Sequence, residues 1–188
     1  MLPGEPCVDF SLPAFTNDEA STTFTLSDHK GKMVVIMFYP GYGYVTPLEF
    51  YELDYLQDNL KSEGCEVVAI ATENLESMRS WWSTERRLAG LGSCLRNIWF
   101  ASDVHGTICK QLGVYKEGEH VAFRSTFLID PNGDILSIEK CDLPVGLRMA
   151  EQLRQVQAWN ALADAPKVAA APEGWKAGQP LDETGYQK

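Results

Sequence analysis

Seven consecutive apolar residues, Met33-Val34-Val35-Ile36-Met37-Phe38-Tyr39, constrain this chain more than any other segment. The run is far too short to cross a bilayer, which takes roughly 20 residues as a helix. It is rich in β-formers and stops at Pro40-Gly41, so it reads as a buried strand. A helical pattern follows from Thr46 to Gly64, with Leu53, Leu56 and Leu60 on one face and Gly64 suited to a left-handed C-terminal cap. Residues 66–71 predict a second buried strand and 76–87 a second helix, ended by Gly90-Leu91-Gly92. Residues 98–101 predict a short strand and 104–112 a short helix. Strands over 123–129 and 135–138 flank Asp130-Pro131-Asn132-Gly133, a strong hairpin signal. A last helix spans about 146–162, with Met149, Leu153, Val156 and Trp159 at helical spacing. Such alternation of strands and helices predicts an α/β layered domain with helices covering a central sheet.

The 188 residues suit one domain with a short appendage, at roughly 150 residues per domain. The boundary falls near 163: residues 1–163 form the domain, and the Ala/Pro/Gly-rich 164–188 read as an extended tail. With 16 Lys+Arg against 26 Asp+Glu the net charge is 16 − 26 = −10, which argues against a nucleic-acid partner or an anionic membrane surface. The opening Met-Leu-Pro-Gly-Glu-Pro has no basic or apolar stretch of the secretory kind. Five cysteines, Cys7, Cys65, Cys94, Cys109 and Cys141, are odd in number, widely spaced and without a CxxC pair. Neither a metal site nor a disulfide framework is expected from them, and no cofactor; reduced thiols and a cytoplasmic setting are.

Thr46-Pro47-Leu48-Glu49 places a helix start after a strand, where free backbone N–H groups and the helix dipole favour negative charge. The same four residues also spell a capping box: threonine at the cap, proline at the first helical position, and a glutamate reaching back. Local sequence favours the cap.

Longer ordered stretches are Pro6-Cys7-Val8-Asp9-Phe10, Leu26 to Lys32, Phe38-Tyr39-Pro40, Arg124 to Asp130, Asp142 to Gly146 and Pro172 to Lys176. Through them the chain resembles the typical two-cysteine peroxiredoxins over nearly its whole length. The likeness implies a thioredoxin-like α/β fold of peroxiredoxin type, a central mixed sheet flanked by helices, and homodimers that assemble into rings. The family's reaction belongs to a motif Pro-x-x-x-Thr-x-x-Cys, followed by a proline and a glutamate, with a distant arginine. Carried over, the motif places Pro40, Pro47 and Glu49 in the site, with Arg124 as the arginine and Thr46 where the nucleophilic cysteine belongs.

Other departures accompany that one. The loop Gly41-Tyr42-Gly43-Tyr44-Val45 is one residue shorter than the family's, and the resolving position before Pro172 holds Ala171. A second family arginine falls on Leu147, with Arg148 one step on, and His120 lies four residues before Arg124. A hydroxyl at position 46 stays protonated without a base, and sulfenic-acid chemistry requires sulfur. Ordinary peroxidase turnover is therefore not expected. Loss of both redox positions together with a rebuilt loop points to natural divergence rather than one engineered change. Three roles remain open: an oligomeric scaffold or chaperone-like protein; a repurposed pocket in which Arg124, Tyr42 and Tyr44 hold a small anionic ligand; and a peroxidase using another thiol, Cys7 or Cys94.

Overall fold

A computed structural model describes residues 1–17, 20–43, 45–163, 165–166 and 169–183. The apolar run becomes β3 (Met33–Phe38), and every residue of it is buried. It lies near the middle of a seven-stranded sheet, which is why a continuous apolar run was needed: both faces are covered. Its parallel neighbour is β4 (Cys65–Ala71), which in turn pairs in parallel with β5 (Ile98–Ser102). On the other side β3 pairs antiparallel with β8 (Arg124–Ile129), and β8 with β9 (Ile135–Cys141). Two strands absent from the sequence reading, β1 (Ser11–Thr16) and β2 (Thr22–Thr25), extend the sheet beyond β5. The order is β2-β1-β5-β4-β3-β8-β9, a mixed sheet of thioredoxin-like α/β type, as expected.

Alternation along β3 divides the core in two. Val35 and Met37 point to one side, where they meet Phe50, Leu53, Leu56 and Leu60 of α1 (Val45–Ser62) and Met149 and Val156 of α4 (Met149–Ala163). Val34, Ile36 and Phe38 point to the other, packing with Leu26, Phe127, Ile129 and Ile108 of α3 (Thr107–Gln111). The leucine stripe of α1 is buried as its spacing predicts, and Gly64 takes the left-handed backbone with φ +72°.

Several boundaries move, each for a local reason. The helix predicted over 76–87 is α2 (Leu75–Ser83), stopped by Thr84, which turns extended and donates its hydroxyl to the Ser80 carbonyl. The remainder forms a 3-10 turn at Arg86–Leu88. The helix predicted from 104 begins at Thr107, because both oxygens of Asp103 accept first-turn N–H groups, from Thr107 and Cys109. The last helix starts at Met149 rather than 146, its first N–H held at 2.8 Å by the Glu52 carboxylate of α1. Within it Met149 and Val156 of the expected stripe are buried and Leu153 packs against the core, whereas Trp159 is exposed and Gln152 is buried. The hairpin forms with a longer second arm, its turn held by the Asp130 carboxylate, which accepts from the backbone of Asn132, Gly133 and Asp134. A small hairpin, β6 (Tyr115–Lys116) with β7 (Val121–Ala122), was not foreseen.

The expected open tail is, over 169–183, a closed loop. Ala170 and Asp182 exchange backbone hydrogen bonds, and Trp175 is buried between them in sequence with its indole N–H on the Gln179 carbonyl. No helix among the described residues is long and apolar enough to cross a membrane.

Gly90 sits where the chain passes the end of α2. A Cβ there would lie 2.1 Å from the Thr84 carbonyl oxygen, a backbone atom. Gly90→Ala is expected to cost about 1–3 kcal/mol in urea unfolding, as overpacking does. A loss below about 0.5 kcal/mol, the range of an inconsequential surface change, would show that the segment shifts freely.

Candidate functional site

The helix start at Thr46 does not use a capping box. Val45 already belongs to α1, Thr46 is fully buried, and its N–H donates to the Gly43 carbonyl at 3.1 Å. Glu49 turns away from the helix end. One of its carboxylate oxygens accepts the Leu147 N–H at 2.8 Å, and the other accepts from Arg124 Nη1 at 2.5 Å. The cap reading fails because a buried guanidinium competes for the same side chains and wins.

Arg124 is the first residue of β8 and lies on the α1 side of the sheet. Its Nη1 donates to Thr46 Oγ1 at 3.0 Å as well as to Glu49, and its Nε donates to the Leu143 carbonyl at 2.7 Å. Exposure is 0% for Thr46, 4% for Glu49 and 3% for Arg124. The segment Leu143-Pro144-Val145-Gly146 closes the cluster from outside, with the Leu143 carbonyl and the Leu147 N–H as its two backbone contributions. Gly146 permits that approach: a Cβ there would stand 3.0 Å from Val45 Cγ1 and 3.5 Å from Glu49 Oε1. In the sequence this segment carries only the family likeness; its backbone role arises from the fold.

Of the other expected pocket residues, few join the cluster. Pro47 is buried beside Thr46 in α1, and Pro40 is half-buried at the loop start. Tyr42 packs its ring on Trp81, centroids 4.7 Å apart, and hydrogen-bonds Ser77 Oγ at 3.3 Å. Burial pushes its hydroxyl up to about 12, so it is a packed core tyrosine rather than the wall of an anion pocket. Tyr44 lies outside the described residues. His120, just before β7, instead meets the Tyr115 hydroxyl at 3.1 Å, while its carbonyl accepts from Thr72. Arg148 is exposed beside Glu151, because Leu147 is the residue that turns inward. Ala171 is half-buried in the tail loop, beside Trp159 of α4.

The thiols lie elsewhere. Burial pushes Cys65 up to about 12 and Cys7 up to about 11, and raises Cys109 further. Cys94 is half-buried, with Arg86 Nη2 2.8 Å from its sulfur, yet burial still holds it above the ordinary thiol value. A low-pKa thiolate of the reactive kind is not what these surroundings make.

A mixed α/β sheet with a helix N-terminus set against a buried arginine at the start of an antiparallel strand defines a protein of the thioredoxin-like class. Comparison narrows the class. The AhpC/TSA family model matches residues 3–138. Peroxiredoxin-1 of Gallus gallus is 34% identical over 186 residues, covering 98% of this chain and 92% of that protein. Peroxiredoxin-2 of Macaca fascicularis is 36% identical over 176 residues, covering 93% and 86%. The fold matches the reduced 2-Cys peroxiredoxin of Plasmodium vivax with a TM-score of 0.89 at 23% identity, over 96% of this chain and 92% of that one. The chain belongs to the AhpC/TSA family and is a peroxiredoxin-family protein.

Two outcomes test the cluster. Removing one partner strands the other charge, so Glu49→Leu is expected to cost about 3–5 kcal/mol, and the double change with Arg124→Leu less than the sum of the singles. A double-mutant cycle in urea measures this, and additive losses would mean that the two side chains are not coupled. The second concerns pH. Burial raises the Glu49 carboxyl above its ordinary value, against the pull of the Leu147 N–H and the Arg124 guanidinium. The folded chain then holds that proton more tightly than the unfolded one, so the contribution is present at low pH and lost as pH rises through the raised value. Stability relative to Glu49→Gln is expected to fall with rising pH from the ordinary glutamate value upward. A rise across that window in stepped-pH urea titrations would show that Arg124 outweighs burial.

Proposed function

We propose that this chain is a peroxiredoxin-family protein without thiol peroxidase activity at the family's nucleophile position, working through its surface as a homo-oligomeric scaffold or chaperone-like protein. One observation carries the reading. The guanidinium that would meet a thiolate and a peroxide is instead satisfied by Glu49, the Leu143 carbonyl and the Thr46 hydroxyl, in a cluster closed to solvent. A threonine hydroxyl has a pKa far above neutrality, and an arginine stabilises an anion without removing the proton. Even a deprotonated oxygen would not take oxygen from peroxide in the way a sulfur does. The same closure counts against a repurposed anion site at Thr46 and Arg124, since a ligand would have to displace the Glu49 carboxylate. Oligomer formation is supported by β9, which among the described residues stands at the edge of the sheet, where a second copy can pair with it. A reducing compartment, the cytoplasm, fits five free thiols.

A second reading keeps the relatives' activity and assigns it to Cys94. Arg86 donates to its sulfur at 2.8 Å, and Asp54 anchors the same guanidinium, so a positive charge is fixed beside a half-buried thiol. Against it stands the burial that keeps the thiol protonated.

One assay series separates the readings. Wild type is expected to show no rapid, stoichiometric consumption of hydrogen peroxide, and dimedone to trap no sulfenic acid. Thr46→Cys places sulfur beside Arg124 and is expected to raise consumption above wild type. Rapid consumption by wild type that disappears in Cys94→Ser would overturn the first reading in favour of the second.

A further inference from the structure

The opposite face of the sheet holds a cavity that the Thr46 cluster does not touch. It has a volume of about 140 Å³ and a floor of Leu26, Val34 and Ile129, all buried and all on the α3 side of the sheet. An N-terminal strap forms one wall: Cys7 donates its N–H to the Gly133 carbonyl at 2.9 Å, Ile135 donates to the Glu5 carbonyl at 2.9 Å and Gly4 to the Ile135 carbonyl at 2.7 Å, so residues 4–7 are pinned to the β8–β9 turn. Gly31 closes the opposite side by donating to the Pro131 carbonyl at 2.9 Å. The walls are thus fixed by backbone hydrogen bonds.

The charges around the cavity are unequally engaged. His29 gives its Nδ1 to Glu66 at 2.6 Å and stacks on Phe24, and Lys32 pairs with the same glutamate. Asp130 spends its oxygens on three backbone N–H groups and the Asn132 amide, which also hold its carboxyl below the ordinary range. Asp9 accepts the Ser27 N–H at 2.9 Å. Lys30 lines the cavity, and its ammonium has no partner among the described residues.

We propose that this cavity binds a small monocarboxylic acid, its compact apolar body on Leu26, Val34 and Ile129 and its carboxylate on the Lys30 ammonium. The size is right: a cavity of about 150 Å³ lined by aliphatic side chains accepts a benzene-sized guest. The polarity is right too: the floor is apolar, and of the lining cations His29 and Lys32 are engaged by Glu66, which leaves the Lys30 ammonium to meet a carboxylate. The site is separate from the Thr46 cluster and does not depend on how position 46 is read.

Amide chemical-shift titration of the full chain tests it with four probes: cyclohexanecarboxylate, cyclohexylmethanol, cyclohexylmethylammonium and acetate. Cyclohexanecarboxylate is expected to bind at millimolar or lower concentration and shift the amides of Cys7, Ser27, Lys30 and Gly133. The alcohol, which lacks the charge, and acetate, which lacks the apolar body, are each expected to bind about tenfold more weakly, and the ammonium not at all. Lys30→Gln, a surface change that leaves the fold intact, is expected to weaken the acid about tenfold, with Lys30→Arg restoring most of the loss. Absence of shifts at 10 mM acid (about ten times the expected limit), shifts confined to other residues, equal response to the ammonium, or indifference to Lys30→Gln would each overturn the proposal.

Discussion

Arg124 and Glu49 form a buried ion pair on which the arrangement of this face depends. Two charges out of water are tolerated only where the remaining donors and acceptors are also met. Here they are met by parts distant in sequence: Thr46 in α1, the Leu143 carbonyl and the Leu147 N–H. Satisfying those demands fixes how α1 stands against β8 and where the 143–147 segment folds over both. The start of α4 follows, because Glu52, one turn beyond Glu49 in α1, holds the Met149 N–H. Gly146 eases the same closure, since a Cβ there would stand 3.0 Å from Val45 Cγ1.

The same constraint explains how a threonine is accommodated at the centre of a site that its relatives' resemblance assigns to cysteine. A hydroxyl accepts a hydrogen bond from the guanidinium as a neutral group, so the pair with Glu49 supplies the negative charge that a thiolate would have shared. The cluster keeps its hydrogen-bonded frame with a hydroxyl in the place of sulfur. Tyr42 of the shortened loop is likewise taken up by packing, its ring against Trp81.

Much of the fold was legible in the residues. The run at β3, the leucine stripe of α1, Gly64 and the Asp130–Gly133 turn each carry a local signal that the structure honours. Strands β1 and β2 were not legible, because half-exposed alternation beside Pro13 gives a weak signal until β5 offers a partner. The site was legible only in part. The family motif brought Thr46, Glu49 and Arg124 together, whereas proximity in sequence misplaced His120 and Arg148, since neighbours on a strand or a loop point in different directions.

By itself, then, the sequence determined the layers, the family likeness and the absence of sulfur at position 46, because these follow from periodicity and residue type. Only the tertiary structure decided what Thr46 and Glu49 do. Four residues that read locally as a helix cap gave up that role to a guanidinium 75 positions from Glu49, which a one-dimensional pattern does not contain. Charge buried at long range overrides a cap worth about 1 kcal/mol, because an unmet buried charge costs several times as much.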